Sequence, residues 1–289
     1  MQQVVIAVLR LQGRKRRWAN GAKFVEDARG QRAATPPVRL RKRVHLSTDE
    51  ALGFAVHRLA PLVASPGSPT VLYLHGGGYV HDFASQHWSF MLTIVERTGA
   101  TVLAAQYPLA PDHTWRDSFS QLLTLARGVD VVAGDSAGGG LALALAQSLA
   151  AEGISRDTAL IAPLVDATMS DPRTADYDRS DPWLATDGLL HCGRAWAGED
   201  DPARPEISPL FGSFDGLGRL LVFTGTRDVL HPQARRLATT TDTVEVVVEQ
   251  GCVHNYPLLP IPEARVALEI LAEFLLPQDD SVRKTPDID

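Results

Sequence analysis

Gly134-Asp135-Ser136-Ala137-Gly138-Gly139 is the stretch on which the reading of this chain turns. Ahead of it, Val129 to Gly134 is apolar almost throughout, and behind it Ala137 to Ala151 is rich in Ala and Leu. The first has the length of a strand buried on both faces and the second that of a helix. A serine at such a strand-to-helix turn has the pattern of a nucleophile elbow, in which the residue is held strained and exposed. Gly134 and Gly138 would spare it clashes at close approach, and the helix amino end beneath it favours a developing negative charge. The same turn could also hold a phosphate, or be only a turn, so the rest of the chain has to decide.

Working outward, short apolar runs alternate with helical stretches, the mark of a parallel, doubly wound sheet. The predicted strands are Thr70 to His75, Thr101 to Tyr107, Val129 to Gly134, Ala159 to Ala162, Arg219 to Thr224 and Val244 to Glu249. Helices are expected at Gln86 to Thr98, Trp115 to Ala126, Ala137 to Ala151, Pro232 to Thr239 and Pro262 to Leu276. Period-2 alternation over Arg39 to Leu46 and Gly53 to Leu59 predicts an antiparallel hairpin opening the sheet, its charged residues discouraging edge-to-edge pairing. Before it, Gln2 to about Arg29 fits two short helices. Between about Asp166 and Gly216 the alternation fails, and an excursion over one face of the sheet is expected.

Other residues speak to the serine. His75-Gly76-Gly77-Gly78 closes a predicted strand, and its glycines can turn backbone N–H groups toward one point, as an oxyanion hole requires. Gly77, Gly78 and the N–H of Ala137 are the candidate donors. Gly76, Gly134, Asp135 and Gly138 are candidate structural support, and His75 is read as a brace for the loop. A serine hydroxyl needs a base to take its proton, and the base needs an orienting acid. Asp228 and His254 each follow a late predicted strand, on the side where open α/β sheets build their sites. The chain order Ser136, Asp228, His254 suits an acyl-transfer triad. His81, His87, Trp88, Trp183 and Trp196 could line or cover a pocket, or simply pack.

Bulk properties exclude other classes. At 289 residues, with 45% hydrophobic and 21% charged residues, the chain is of ordinary globular composition. A net charge of −6 gives no general attraction to nucleic acid or to anionic membranes. Two cysteines, Cys192 and Cys252, make no disulfide framework, which favours a reducing, cytoplasmic setting. The run from Val4 to Leu11 is too short to span a bilayer, and no integral membrane segment is expected. The histidines show no metal-ligand spacing, and neither metal nor cofactor is expected.

Taken together, His-Gly-Gly-Gly, Gly-Asp-Ser-Ala-Gly-Gly, Tyr107-Pro108-Leu109-Ala110-Pro111-Asp112-His113 and Ile207-Ser208-Pro209-Leu210-Phe211 resemble the hormone-sensitive lipase type of α/β-hydrolase esterases. Tyr79-Val80-His81 and Gln86-His87-Trp88 look closest to its bacterial acetyl-hydrolase and steryl-acetate deacetylase members. The resemblance, spanning about residues 35 to 275, implies an α/β-hydrolase fold: a mostly parallel eight-stranded sheet with helices on both faces and a helical cap. It implies cap helices at 1–35 and a catalytic domain at 36–277 with its excursion at about 167–216, while the mixed charged run at 278–289 reads as a flexible tail. The expected function is hydrolysis of small acyl esters of short to medium chain through an acyl-enzyme. An amidase or deacetylase with the same triad, or a non-catalytic ligand-binding homologue, stands as the alternative. Departures from the family pattern fall at Pro108, Ser120-Gln121 and Pro232, and the stretch from Tyr107 to Gly134 is shortened.

Overall fold

A computed structural model gives the structure of the chain, with residues 1–31, 33–241 and 243–276 described. The tail expected at 278–289 lies outside the described residues. Three helices come first, α1 (Gln2–Leu11), α2 (Arg14–Trp18) and α3 (Gly21–Glu26), one more than expected. The hairpin follows as β1 (Val44–Asp49) and β2 (Val56–Pro61). Then come β3 (Thr70–Leu74), α4 (Ser85–Thr98), β4 (Thr101–Ala105), α5 (Phe119–Arg127), β5 (Val131–Asp135), α6 (Ala137–Ala151) and β6 (Asp157–Ile161). The excursion contains α7 (Thr174–Ser180) and α8 (Thr186–Ala197), after which β7 (Leu220–Arg227), α9 (His231–Leu237), β8 (Val244–Val253) and α10 (Pro262–Leu275) complete the fold.

The eight strands form one sheet in the order β1-β2-β4-β3-β5-β6-β7-β8, antiparallel at β1–β2 and β2–β4 and parallel elsewhere. This is the α/β-hydrolase fold expected from the sequence. Strand periodicity sorts the core into two layers. Val71 and Tyr73 of β3 point to the face covered by α4 and α10, where Phe90, Met91, Ile94, Leu271 and Phe274 pack. Leu72 and Leu74 point to the other, covered by α5, α6 and α9 through Leu122, Leu141, Leu145 and Leu237. Because both faces are covered, the central strands read as unbroken apolar runs. Helix α6 is buried without interruption from Ala137 to Ala146, as a helix apolar on all sides must be.

Several boundaries differ from the sequence reading, three of them instructively. Val38–Lys42 is a 3-10 helix, and the strand begins only at Val44. Leu40 is the one buried side chain there, between exposed Arg39 and Arg41, so alternation around a single apolar residue was satisfied by a turn as well as by a strand. The helix expected from Trp115 breaks at buried Ser118 into a 3-10 turn and α5. Strand β8 runs to Val253, past the expected Glu249, with a register irregularity opposite Gly225 and Arg227.

Seating α6 on the sheet demands glycine. A Cβ on Gly138 would lie 2.1 Å from the carbonyl oxygen of Leu74, and one on Gly134 would lie 2.3 Å from that of Gly138. Backbone blocks both, so no side-chain rotation relieves them. Gly138→Ala is expected to cost roughly 1–3 kcal/mol as an overpacking change. Urea unfolding measures this directly, and a wild-type midpoint would show that helix and strand are not in such close contact.

Candidate active site

Strands β3, β5, β7 and β8 run parallel, so the residues that follow them gather at one edge of the sheet. Ser136 follows β5 with φ 53° and ψ −120°, a conformation strained for any residue with a side chain. It is held by its own N–H donating to Ile161 O at 2.8 Å and by Leu164 N–H donating to its carbonyl at 2.9 Å. Asp228 follows β7 and His254 follows β8. Asp228 Oδ2 lies 2.8 Å from His254 Nδ1, both side chains buried. Asp228 Oδ1 accepts the N–H of Leu230 at 2.9 Å, which fixes the carboxylate plane.

Ser136 and His254 line one cleft of about 340 Å³ with Gly76, Gly77 and Gly78. The Ser136 hydroxyl forms no hydrogen bond with His254, a bond that commonly tightens only in a substrate complex. Gly77 and Gly78 take φ of 125° and 66°, open to glycine and costly to other residues. Among the described residues nothing accepts a hydrogen bond from the N–H of Gly77, Gly78 or Ala137. Free amide donors in so packed a region are what a transient oxyanion needs. Ala137 and Asp228 lie wholly buried behind the cleft wall.

A family model for the α/β-hydrolase fold matches residues 71–258, which contain the elbow, the glycine loop and both late-strand residues. The chain belongs to the α/β-hydrolase family. An acetyl-hydrolase of Streptomyces hygroscopicus is 30% identical over 71% of this chain and 75% of its own length. An ethyl acetate hydrolase of Pseudomonas putida is 32% identical over 71% and 72%. The fold is shared with a hormone-sensitive lipase homologue from a metagenome library, at TM-score 0.79 and 22% identity over 95% of this chain and 97% of that one.

In this α/β-hydrolase the residues around the cleft are tied together by Asp135, which is wholly buried. Its Oδ1 accepts from Tyr73 Oη at 2.6 Å and Gly76 N–H at 2.9 Å. Its Oδ2 accepts from Asn255 Nδ2 at 2.6 Å and stands 3.4 Å from His87 Nε2. One carboxylate thus links the residue before Ser136, the glycine loop and the residue after His254. Burial alone would raise its pKa, but His87, Tyr73 and Gly76 outweigh burial and hold it at about 2. His87 Nδ1 accepts the N–H of Ala84 at 2.9 Å, which leaves Nε2 to carry the proton facing Asp135.

The other candidates separate. His75 is buried outside the cleft, stacked on Tyr107 with ring centres 4.6 Å apart, and burial lowers it to about 4. Trp183 lines the cleft, its ring edge-on to His254 at 5.7 Å, whereas Trp196 is wholly buried and stacked on Tyr79. His81 lines the cleft and Trp88 lies in the core behind it. Cys252 is buried, and burial pushes its thiol up to about 12, far from nucleophilic use. Among the described residues no group of three His, Cys, Asp or Glu could hold a metal ion.

Sequence reasoning missed Asn255 and Asp181. Buried Asp181 accepts the N–H of Trp183 at 2.7 Å, of Leu184 at 2.9 Å and of Val229 at 2.9 Å, which joins the Trp183 loop to the residue after Asp228. Burial, and then the Asp228 charge, push its carboxyl up to about 7. A proline-aspartate-rich loop gives no hint of this in one dimension.

Asp135→Asn replaces an acceptor of four contacts by a group with donors of its own, and is expected to cost about 2 kcal/mol or more at pH 7. The folded carboxylate sits below its ordinary value, so its contribution is complete above about 4 and is lost as pH falls toward 2. Denaturant unfolding of both chains from pH 7 downward checks this. A stability gap independent of pH would contradict the assignment.

Proposed function

We propose that this chain is a serine carboxylesterase with Ser136 as nucleophile, His254 as general base and Asp228 as the orienting acid. The observation that carries it is the 2.8 Å Asp228–His254 contact, which faces the strained Ser136 across a cleft whose glycine loop offers unpartnered amides. The acetyl-hydrolase and ethyl acetate hydrolase relatives support ester hydrolysis as the reaction.

His254 Nε2 takes the Ser136 proton as Oγ attacks the ester carbonyl. The oxyanion is received by the N–H groups of Gly77, Gly78 and Ala137, which lose no reorganisation energy because they are already free. His254 then gives its proton to the departing alkoxide, leaving an acyl-Ser136, and a water activated in the same way releases the acid. Asp228 holds the imidazolium in place through both steps. The helices of residues 1–35 and the excursion act as a cap: Trp18, Phe24, Trp183 and Leu184 supply the apolar part of a cleft of about 340 Å³, a size suited to short or medium acyl groups. No helix among the described residues is long and apolar enough to cross a membrane.

Two measurements test the reading. Ser136→Ala should lower turnover of a 4-nitrophenyl ester by ~10⁴-fold or more; a variant retaining near-normal activity sinks the assignment. Burial by itself would lower His254, but the charge and hydrogen bond of Asp228 outweigh it and hold the imidazole above its ordinary value. Neutral imidazole is the active form, so kcat/KM should rise with pH through a limb centred above 6.5. Asp228→Asn should move that limb down while cutting the rate, and an unmoved limb would remove Asp228 from this role.

A further inference from the structure

The helices that roof the cleft are the basic part of an acidic protein. The first thirty residues hold seven Lys and Arg against two acids, in a chain of net charge −6. Some of these cations have partners: Lys15 with Asp178 at 2.7 Å, Lys23 with Asp27 at 2.7 Å, and Arg29 with Glu26 and Asp112. Arg14, Arg16 and Arg17 are exposed and meet no carboxylate among the described residues.

Their positions converge on the site. Arg14 and Arg17 line the cleft that holds Ser136 and His254. Arg16, Arg17 and the Lys23–Asp27 ion pair line an adjoining hollow of about 680 Å³, which shares Arg17, Phe24 and His81 with the cleft. The Arg14 guanidinium lies over Trp183 at 5.9 Å, and Trp183 in turn meets His254 at 5.7 Å. His81 registers the field: burial first, and then the Arg14 charge, lower its pKa. The two carboxylates that reach the cleft wall do not offset this charge. Asp135 is committed to its four contacts, and Asp82 accepts from Ala34 N–H at 2.7 Å and Phe83 N–H at 2.6 Å.

Three guanidiniums within one short helix, none with a carboxylate partner among the described residues, gain no ion-pair stabilisation and repel one another. What such a rim stabilises is an anion, and planar guanidinium forks suit carboxylate or phosphate oxygens. We propose that the substrate of this site is an anionic ester, one whose carboxylate or phosphate lies remote from the scissile carbonyl. The ester sits over Ser136 and the anion sits among Arg14, Arg17 and Arg16 at the entrance and adjoining hollow. The inference rests on the serine carboxylesterase reading above.

Matched substrates test it in the full chain: 4-nitrophenyl butyrate against mono-4-nitrophenyl glutarate, and 4-methylphenyl acetate against 4-acetoxybenzoate, with a phosphate analogue of the last to tell the two anions apart. In wild-type protein at low salt, the kcat/KM ratio of anionic to neutral ester should fall about tenfold or more on replacing Arg14 and Arg17 together by Gln. Arg14→Lys with Arg17→Lys should restore much of it, and about 0.5 M salt should diminish it. Ratios that the Gln pair leaves unmoved overturn the inference, while turnover of the neutral ester and fluorophosphonate labelling of Ser136 leave the esterase reading standing. Absence of labelling overturns the esterase reading and, with it, this one. If the Gln pair instead abolishes binding to phosphatidylglycerol vesicles with the ratios unmoved, the arginines and the exposed Val4, Val8 and Leu11 of α1 are a membrane footing and the inference is overturned.

Discussion

A buried carboxylate with four donors around it holds this site together. Asp135 touches β3 through Tyr73, the glycine loop through Gly76, α4 through His87 and the loop after β8 through Asn255. An ionised group without such partners would be prohibitively costly in the interior. With them it becomes a rigid node, because moving any one loop leaves either a buried charge or a buried donor unsatisfied. Ser136 and His254 are each the immediate chain neighbour of a member of that network. Their relative placement is therefore set by backbone connectivity to a fixed point rather than by contact between the two side chains, which form no hydrogen bond with each other.

The strain at Ser136 depends on the same anchoring. A left-handed serine costs of order 1–3 kcal/mol and persists only where its surroundings over-determine it. Here the turn is clamped by Ile161 at the end of β6 and Leu164 just beyond it, and from within α6 by Gly140 donating to the Ser136 carbonyl at 3.1 Å. Glycines at 134 and 138 let the strand and the helix approach β3 closely enough for these bonds to form. Gly-rich sequence is poor helix material, yet three consecutive glycines open α6. The helix accepts that weakness because its remaining turns are buried Ala and Leu.

Much of this was legible in one dimension. Buried strands, the elbow, the glycine loop and the residues after late strands all follow from local runs and from the rule that parallel sheets gather function at their carboxyl ends. The motif resemblance added the cap and the hydrolase frame. Illegible were contacts whose partners lie far apart in sequence: Asn255 with Asp135, His87 with Asp135, Asp181 with Val229. Nothing in the composition of those segments distinguishes a network member from a surface residue. The excursion is an intermediate case. Leu189, Cys192, Gly193 and Trp196 recur at helical spacing along α8 and are all buried, a signal hidden by the prolines and aspartates before them. At Leu40 the opposite happened, since one buried side chain among charges fits two periods equally well.

The electrostatics divide the site into an acidic interior and a basic entrance. Asp135, Asp181 and Asp228 are all buried around His254, and each of the three raises the imidazole's affinity for its proton. An imidazolium at His254 is therefore stabilised from inside the protein, where screening is weak. Arg14 and Arg17 line the cleft as exposed residues, and the Trp183 ring lies between Arg14 and His254. In solvent at physiological salt their field fades within about 8 Å, so it acts on what enters the cleft more than on the buried Asp228–His254 pair. The two polarities do not cancel, because one is shielded by burial and the other by water, with the Trp183 ring between Arg14 and His254.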